Sequence, residues 1–378
     1  MRVVVAPDKF KGSLDAAGVA AALGAGVRDI APDAVCELIP MADGGDGTVD
    51  AFIASGASAI TVRVSGPLGV PVNATYARDG AAAIVEMAAA SGLALLGTQL
   101  DARRATTRGT GELLRDALDH GASRIVLGIG GSASTDGGAG ALAALGARFL
   151  DGAGSVLEPT PEALTRVARI DLTALDQRMR EVDVAIACDV DNPLLGASGA
   201  AAVYGPQKGA SADDVAFLDG VLTRLADAMR GATGRDLRVL PGAGAAGGLG
   251  WALASACGAR LERGVVLVAE LRGLAAALRG ADWCFTGEGR IDEQTLRGKV
   301  VDGVAALARA ARVPVIAFGG SVELGVEAAL RARGVDCVPI VPGPIPLQDA
   351  MANAATNLRA AAARITAMLL SPHSDRRG

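Results

Sequence analysis

The chain has 378 residues, 51% of them hydrophobic, 20% charged and 3% aromatic, with a net charge of −5. That length supports two or three domains with a large core, and the composition excludes intrinsic disorder. An acidic balance with few aromatic side chains lacks the basic stripe and stacking platforms of a nucleic-acid binder, and no apolar run reaches the roughly 18 residues of a membrane span.

Met1 leads directly into a strand-like run, not a signal peptide, so a cytoplasmic protein is expected. Residues 2–6 read as a buried strand, followed by the loop PDKFKGS and an Ala-rich helix over Leu14–Arg28 with Ser13 as its N-cap. A second strand, Val35–Pro40, enters the loop MADGGDGTVD, where Asp43 and Asp46 flank paired glycines ahead of another helix. A third strand near Ile60–Val64 ends at SGPLGVP, a turn cluster expected to mark a domain boundary. Val72–Ala77 and Ala83–Met87 then read as strands of a hairpin turning at Asp79-Gly80, and Asp101–His120 carries a helix stopped by Gly121.

The segment Arg124–Leu145, RIVLGIGGSASTDGGAGALAAL, is a strand, a glycine loop and an Ala/Leu-rich helix. Glycine brings main-chain N–H groups close to a ligand, and a helix N-terminus adds free donors and a favourable dipole, so the pattern suits an anion such as phosphate. The strand Val182–Cys188 opens a long loop containing Asp189, Asp191, Asn192 and Lys208, and loops of that length in compact domains are usually functional. A helix over Ala212–Arg230 precedes PGAGAAGGLG, whose glycines serve either an anion nest or close helix packing, and the next helix begins near Trp251. After Ala281 the chain reads as a strand over Trp283–Thr286, a charged loop GEGRIDEQTLRGK, a helix over Val301–Arg312, a strand over Val313–Phe318, a helix from Glu323, a strand over Val335–Val341 and a last helix to Leu370, with a disordered tail.

Both chain ends are βα repeats, and neither alone is long enough for a well-covered parallel sheet. The expected fold class is α/β: a discontinuous doubly wound parallel-sheet domain over residues 1–64 and 284–378, with a mixed α/β domain over residues 65–283 inserted. Hinges are expected near Ser65–Gly69 and Gly280–Trp283. The five cysteines have no metal-ligand spacing and read as buried thiols. Of the 36 basic residues only four are lysine, and Lys11, Lys208 and Lys299 touch a glycine while Lys9 lies close by, which places compact ammonium groups beside flexible backbone as in phosphate loops. No GxxxxGK[ST] occurs, which excludes a P-loop.

Taken together, APDKFKGS (6–13), PMADGGDGT (40–48), GIGGSASTDGGAGALAALG (128–146), ACDVDNPLLG (187–196), YGPQKGA (204–210), PGAGAAGGLG (241–250) and TGEGRIDEQTLRGK (286–299) resemble the bacterial glycerate kinases of the first type, the glycerate 2-kinases. The resemblance implies ATP- and magnesium-dependent phosphorylation of D-glycerate and two unlike α/β domains with the active site in the cleft. Asp46, Asp191 and Thr135-Asp136 depart from the family pattern, which carries Glu, Thr and Asn-Asp there, and Asp191 adds a carboxylate beside Asp189.

On that reading, the ATP phosphates are expected on backbone donors of Gly130, Gly131, Ser132, Gly137 and Gly138, with support from Lys208 or Lys299. Lys9, Lys11 or Arg290 meets the glycerate carboxylate. Asp43, Asp189, Glu288 and Asp292 are the candidates for magnesium and for the base, with Asp189 favoured as base or metal ligand. The expected product is 2-phosphoglycerate, formed in glyoxylate/glycolate or sugar-acid catabolism, and a second copy of the chain is a possible partner.

Two other readings compete. Gly128-Ile-Gly130-Gly131-Ser-Ala133 fits a relaxed dinucleotide fingerprint with Asp151 about twenty residues on, as in a nicotinamide-dependent oxidoreductase. Alternatively, two α/β domains bind a small hydroxy acid without chemistry.

Overall fold

The computed structural model describes residues 1–45 and 47–371; Asp46 of the second loop and the segment 372–378, which includes most of the expected tail, lie outside the described residues. The fold is mixed α/β, in two compact units: one is Met1–Asp43 with the chain from Val265 onward, the other Gly44–Gly264.

In the terminal unit the apolar runs become five parallel strands, ordered Val335–Pro339, Val315–Val322, Trp283–Ile291, Arg2–Val5, Val35–Leu38. Alternation sends Val3, Val5, Phe285, Ile316 and Phe318 to one face, where they pack with Val19, Leu23 and Val27 of the helix Ala16–Ile30 and with Leu358 and Ala361 of the helix Ala354–Leu370. The helices Val300–Ala310 and Leu324–Arg331 pack on strands of the same sheet.

Two local expectations change here. The first helix is capped by Asp15, whose Oδ1 accepts from Gly18 N–H at 2.7 Å, because the Ser13 hydroxyl is used in a turn onto the Phe10 carbonyl at 3.1 Å. The strand expected to end at Thr286 continues to Ile291, since its parallel partner runs on beside it and pairs Glu288 with Gly319 and Arg290 with Ser321. Gly287 to Ile291 therefore belong to the sheet and not to a charged loop.

The middle unit holds a six-stranded sheet ordered Arg260–Glu262, Asp183–Ala187, Arg124–Gly128, Ala82–Glu86, Pro71–Asp79, Ser58–Ser65. Its first four strands are mutually parallel, and the hairpin over Pro71–Glu86 turns at Asp79-Gly80 as the sequence indicates. The strand Ser58–Ser65, assigned from sequence to the terminal domain, pairs antiparallel with Pro71–Asp79 along eight residue pairs. That pairing carries it into the middle unit, which spans Gly44–Gly264, whereas the sequence-based division lay at 64/65 and 283/284. Leu113, Leu127, Leu142, Ile186, Leu222 and Trp251 belong to the core of this unit.

The PGAGAAGGLG glycines serve close packing: a Cβ on Gly244 would lie 2.3 Å from the Pro193 carbonyl oxygen, and one on Gly248 would lie 2.9 Å from Gly137 Cα. All five cysteines are free; Cys284 is buried and the others are half-buried. No described helix is long and apolar enough to cross a membrane.

Candidate active site

The terminal unit gathers carboxyl groups at the carboxyl ends of its strands, where open α/β sheets bind ligands. After the strand Arg2–Val5, the N–H groups of Ala6 and Asp8 donate to the carbonyls of Phe285 and Gly287 at 2.7 and 2.8 Å, which extends the pairing and fixes Asp8 beside the strand that carries Glu288. The Asp8 carboxylate accepts from Lys9 N–H at 2.7 Å. Burial pushes the Asp8 carboxyl up to about 7, with the negative charge of Asp43 adding to it and the Lys9 N–H and ammonium opposing it.

Glu288 is 5% exposed. The buried Thr295 hydroxyl donates to the Glu288 carboxylate and accepts from Asp292 N–H at 3.0 Å, so its direction is fixed. Burial pushes Glu288 up to about 7; Thr295 and Lys299 oppose the rise, and Asp292 and Asp43 add to it. Asp8, Asp43, Glu288 and Asp292 thus share one electrostatic neighbourhood, with Lys9 and Lys299 as local positive charges. Lys299 is the N-cap of the helix Val300–Ala310, Lys11 is exposed, and Arg290 is largely exposed and 3.3 Å from Asp292.

Asp8 lies inside APDKFKGS, yet sequence reasoning passed over it in favour of the two lysines. Its signal is the position immediately after the first strand and its proline. Thr295 gave no signal, because one hydroxyl among charged residues has no pattern.

The middle unit gathers its own set at the carboxyl ends of Arg124–Gly128 and Asp183–Ala187. Gly44, at φ +78°, lies so close to the second of these strands that a Cβ there would sit 2.4 Å from Ala187 Cβ. The Gly44 carbonyl in turn lies 2.4 Å from where a Gly128 Cβ would be, so two glycine loops cross here in backbone contact. Gly130 and Gly131 are exposed and Ser132 is nearly buried beside them. Asp189 is exposed just past its strand and its Oδ1 accepts from Gly264 N–H at 3.2 Å. Asp191 is exposed, whereas Asn192 is committed internally, accepting from the Tyr204 hydroxyl at 2.6 Å and donating to the Ser198 carbonyl at 2.8 Å.

Three of the expected phosphate contacts lie inside the fold in this geometry. Gly137 and Gly138 are buried, and their N–H groups donate to the Gly247 carbonyl at 2.9 Å and to Asp136 Oδ1 at 3.1 Å, leaving no free donor for a ligand. Lys208 is 1% exposed, and its ammonium donates to the Ser134 carbonyl from inside the fold instead of reaching out of the loop. Asp136 is buried as well and accepts from Thr107 N–H and hydroxyl at 2.8 Å each and from Gly140 N–H at 3.1 Å. The expected carboxylates are also divided, with Asp43, Glu288 and Asp292 on the terminal unit and Asp189 on the middle one.

The dinucleotide reading fares poorly. Its helix should begin near Ser132, but the helix begins at Ala139, after a buried turn in which Gly137 and Gly138 hold positive φ.

Comparison with known proteins agrees with the motif pattern. The pattern described as the glycerate kinase family matches residues 3–370. A glycerate kinase of Bacillus subtilis (strain 168) is 46% identical over 376 residues, covering 98% of each chain. A glycerate 2-kinase of Escherichia coli (strain K12) is 43% identical, again over 98% of each. A crystal structure from Salmonella typhimurium LT2, assigned by name as a glycerate kinase 2, superposes with a TM-score of 0.89 at 45% identity over 98% of both chains. With the match running from residue 3 to residue 370, the chain belongs to the glycerate kinase family and is a kinase.

Proposed function

We propose that the chain transfers the γ-phosphoryl group of ATP to the 2-hydroxyl of D-glycerate. The observation that carries this reading is the likeness to the Escherichia coli glycerate 2-kinase along nearly the whole of both chains. A kinase needs its phosphates neutralised, its metal held by oxygen ligands and its acceptor hydroxyl oriented. The exposed backbone at Gly130 and Gly131, with Ser132, offers donors for phosphate oxygens, and Lys299 adds charge at a helix N-terminus. Lys9, Lys11 and Arg290 are the cations for the glycerate carboxylate. Asp189 orients and deprotonates the attacking hydroxyl, an exposed carboxylate whose Oδ1 accepts from Gly264 N–H.

The donor chemistry of the terminal unit fits magnesium. Asp8, Asp43 and Glu288 are hard oxygen donors whose mutual repulsion a divalent cation relieves. Among the described residues no three His, Cys, Asp or Glu side chains converge on one metal position. That is compatible with a magnesium ion that takes one or two carboxylates and completes its shell with phosphate and water. Asp43 and Glu288 would hold it, and the ion would supply charge neutralisation to the transferring phosphoryl group.

The test is an ADP-release assay with D-glycerate, ATP and magnesium, with the product identified by phosphorus NMR. The 2-phosphate is expected. The 3-phosphate would retain the kinase and refute the regiochemistry, and absence of glycerate-dependent ADP would refute the substrate.

A further inference from the structure

A pocket of about 190 Å³ in the middle unit takes no part in the proposed reaction. It is smaller than the roughly 300–1,000 Å³ of sites for drug-sized molecules, which leaves room for a ligand of a few heavy atoms. Its walls include Ser65, Arg104, Thr106, Arg108, Glu158 and Thr160. Ser65 ends the strand Ser58–Ser65, which runs antiparallel to its neighbour Pro71–Asp79; that neighbour is antiparallel in turn to Ala82–Glu86. Ser65 therefore lies at the same carboxyl-end edge of the sheet as the glycine loop, the edge where α/β sheets take ligands.

The wall is rigid where the backbone forms it. A Cβ on Gly109 would lie 1.9 Å from the Ser65 carbonyl oxygen, so the first turn of the helix Arg108–Asp119 is pressed onto the strand end. Ser65 N–H and hydroxyl both donate to Glu112, at 2.6 and 3.0 Å, which fixes the serine. The Thr106 hydroxyl is turned toward Asp136 at 3.2 Å.

The charge is positive and loosely held. The Arg104 side chain makes no hydrogen bond or ion pair among the described residues and is exposed. Arg108 has Glu158 as an ion-pair partner, at 3.9 Å, and the Glu158 side chain is 81% exposed and free to swing into solvent. The Thr160 hydroxyl stands at the N-cap of the turn Pro161–Leu164 without capping it. Two guanidinium forks, a spare hydroxyl and a pocket of this volume match one ligand chemistry, a small tetrahedral oxyanion.

We infer that this pocket is a second anion site, which binds a phosphate group, free or as the head of a small phosphate ester. The inference does not depend on the proposed kinase chemistry, because binding is measured without ATP or glycerate. Inorganic phosphate is titrated calorimetrically into the full chain, and 2-phosphoglycerate in a parallel titration. Saturable binding is expected, weakened at least about tenfold by R104Q and by R108Q and abolished in the double variant. Only binding that the double variant loses counts toward this pocket, since 2-phosphoglycerate is also the product proposed for the catalytic site. Where that component is tighter for the ester the ligand is a phosphate ester, where it is tighter for inorganic phosphate it is the free ion, and both uphold the site.

Both arginines reach solvent, so their replacement leaves the core closed, and circular dichroism checks this. No saturable binding of either probe, or wild-type affinity in the double variant, overturns the site. Turnover of R104Q with saturating ATP and glycerate stays within about twofold of wild type; a fall beyond about tenfold would place these arginines in the reaction itself and overturn a separate site.

Discussion

The Lys208 ammonium lies 2.5 Å from the Ser134 carbonyl oxygen, inside the fold, with the buried Asp136 carboxyl as its charged neighbour. The hydroxyls of Ser134 and Thr135 are buried beside this bond and have no hydrogen-bond partner among the described residues. One lysine therefore holds the inner side of the loop whose outer side carries Gly130 and Gly131.

Lys208→Met is expected to change how stability depends on pH. Burial pushes the Lys208 ammonium down from 10.5 to about 7, with Asp136 opposing the shift. Between about 7 and 10.5 the unfolded chain holds a proton that the folded chain lacks, so this group makes stability rise with pH across that window. Below about 7 the lysine is charged in both states and its burial penalty is present in full. Urea unfolding at pH 6.5, 8 and 9.5 should show wild type gaining on the variant as pH rises, by up to a few kcal/mol. Parallel pH curves for the two proteins would show that Lys208 keeps its ordinary affinity for the proton.

Gly247→Ala tests the packing behind the same loop. Gly247 sits at φ +64°, and a Cβ there would lie 2.2 Å from the Ser134 carbonyl oxygen, a backbone atom that cannot swing aside. The left-handed conformation costs about 1–2 kcal/mol for alanine, and forced backbone movement adds about 1–3. A loss of about 2–5 kcal/mol in unfolding free energy is expected. A loss under about 0.5 kcal/mol would mean the loop yields freely.

Much of this architecture was legible because glycine loops after apolar runs announce strand ends, and the hairpin at Asp79-Gly80 announces itself by its turn. What stayed hidden depends on partners remote in sequence. Glu288 reads as a loop residue until its strand is seen to run on beside Val315–Val322. Ile60–Val64 reads as part of the first domain until it pairs with Pro71–Asp79. A lysine next to a glycine looks alike in sequence whether it faces a ligand, as proposed for Lys299, or the core, as Lys208 does. Asp8 is a lone carboxylate whose meaning arises only when Asp43 and Glu288 come near it.

Thr295→Val should disturb Glu288 without touching its carboxyl. The variant removes the hydroxyl that donates to Glu288 and leaves Asp292 N–H without its acceptor, at a cost of about 1–3 kcal/mol. The Thr295 hydrogen bond lowers the proton affinity of Glu288, so its loss moves that group further above about 7. The acidic limb of the pH–rate profile should shift to higher pH if ionised Glu288 supports turnover. An unmoved limb with the expected loss of stability would confine Thr295 to a structural role.

The assignment of Asp189 is decided by Asp189→Asn compared with Asp8→Asn. Asparagine keeps an oxygen to accept from Gly264 N–H, so the middle unit should retain its stability while losing the negative charge. General-base catalysis contributes about 10²–10⁴-fold, so a fall of at least about a hundredfold in kcat with a modest change in KM is expected of Asp189→Asn. Asp8→Asn removes one of the mutually repelling carboxyls around Asp43, which lets Glu288 ionise more easily and should weaken magnesium dependence more than it weakens kcat. If Asp189→Asn stays within about tenfold of wild type, about 1.4 kcal/mol, Asp189 is neither base nor metal ligand. A collapse of kcat in Asp8→Asn beside an active Asp189→Asn would then move the base to Asp8, a carboxyl held near neutrality by burial and by its neighbours.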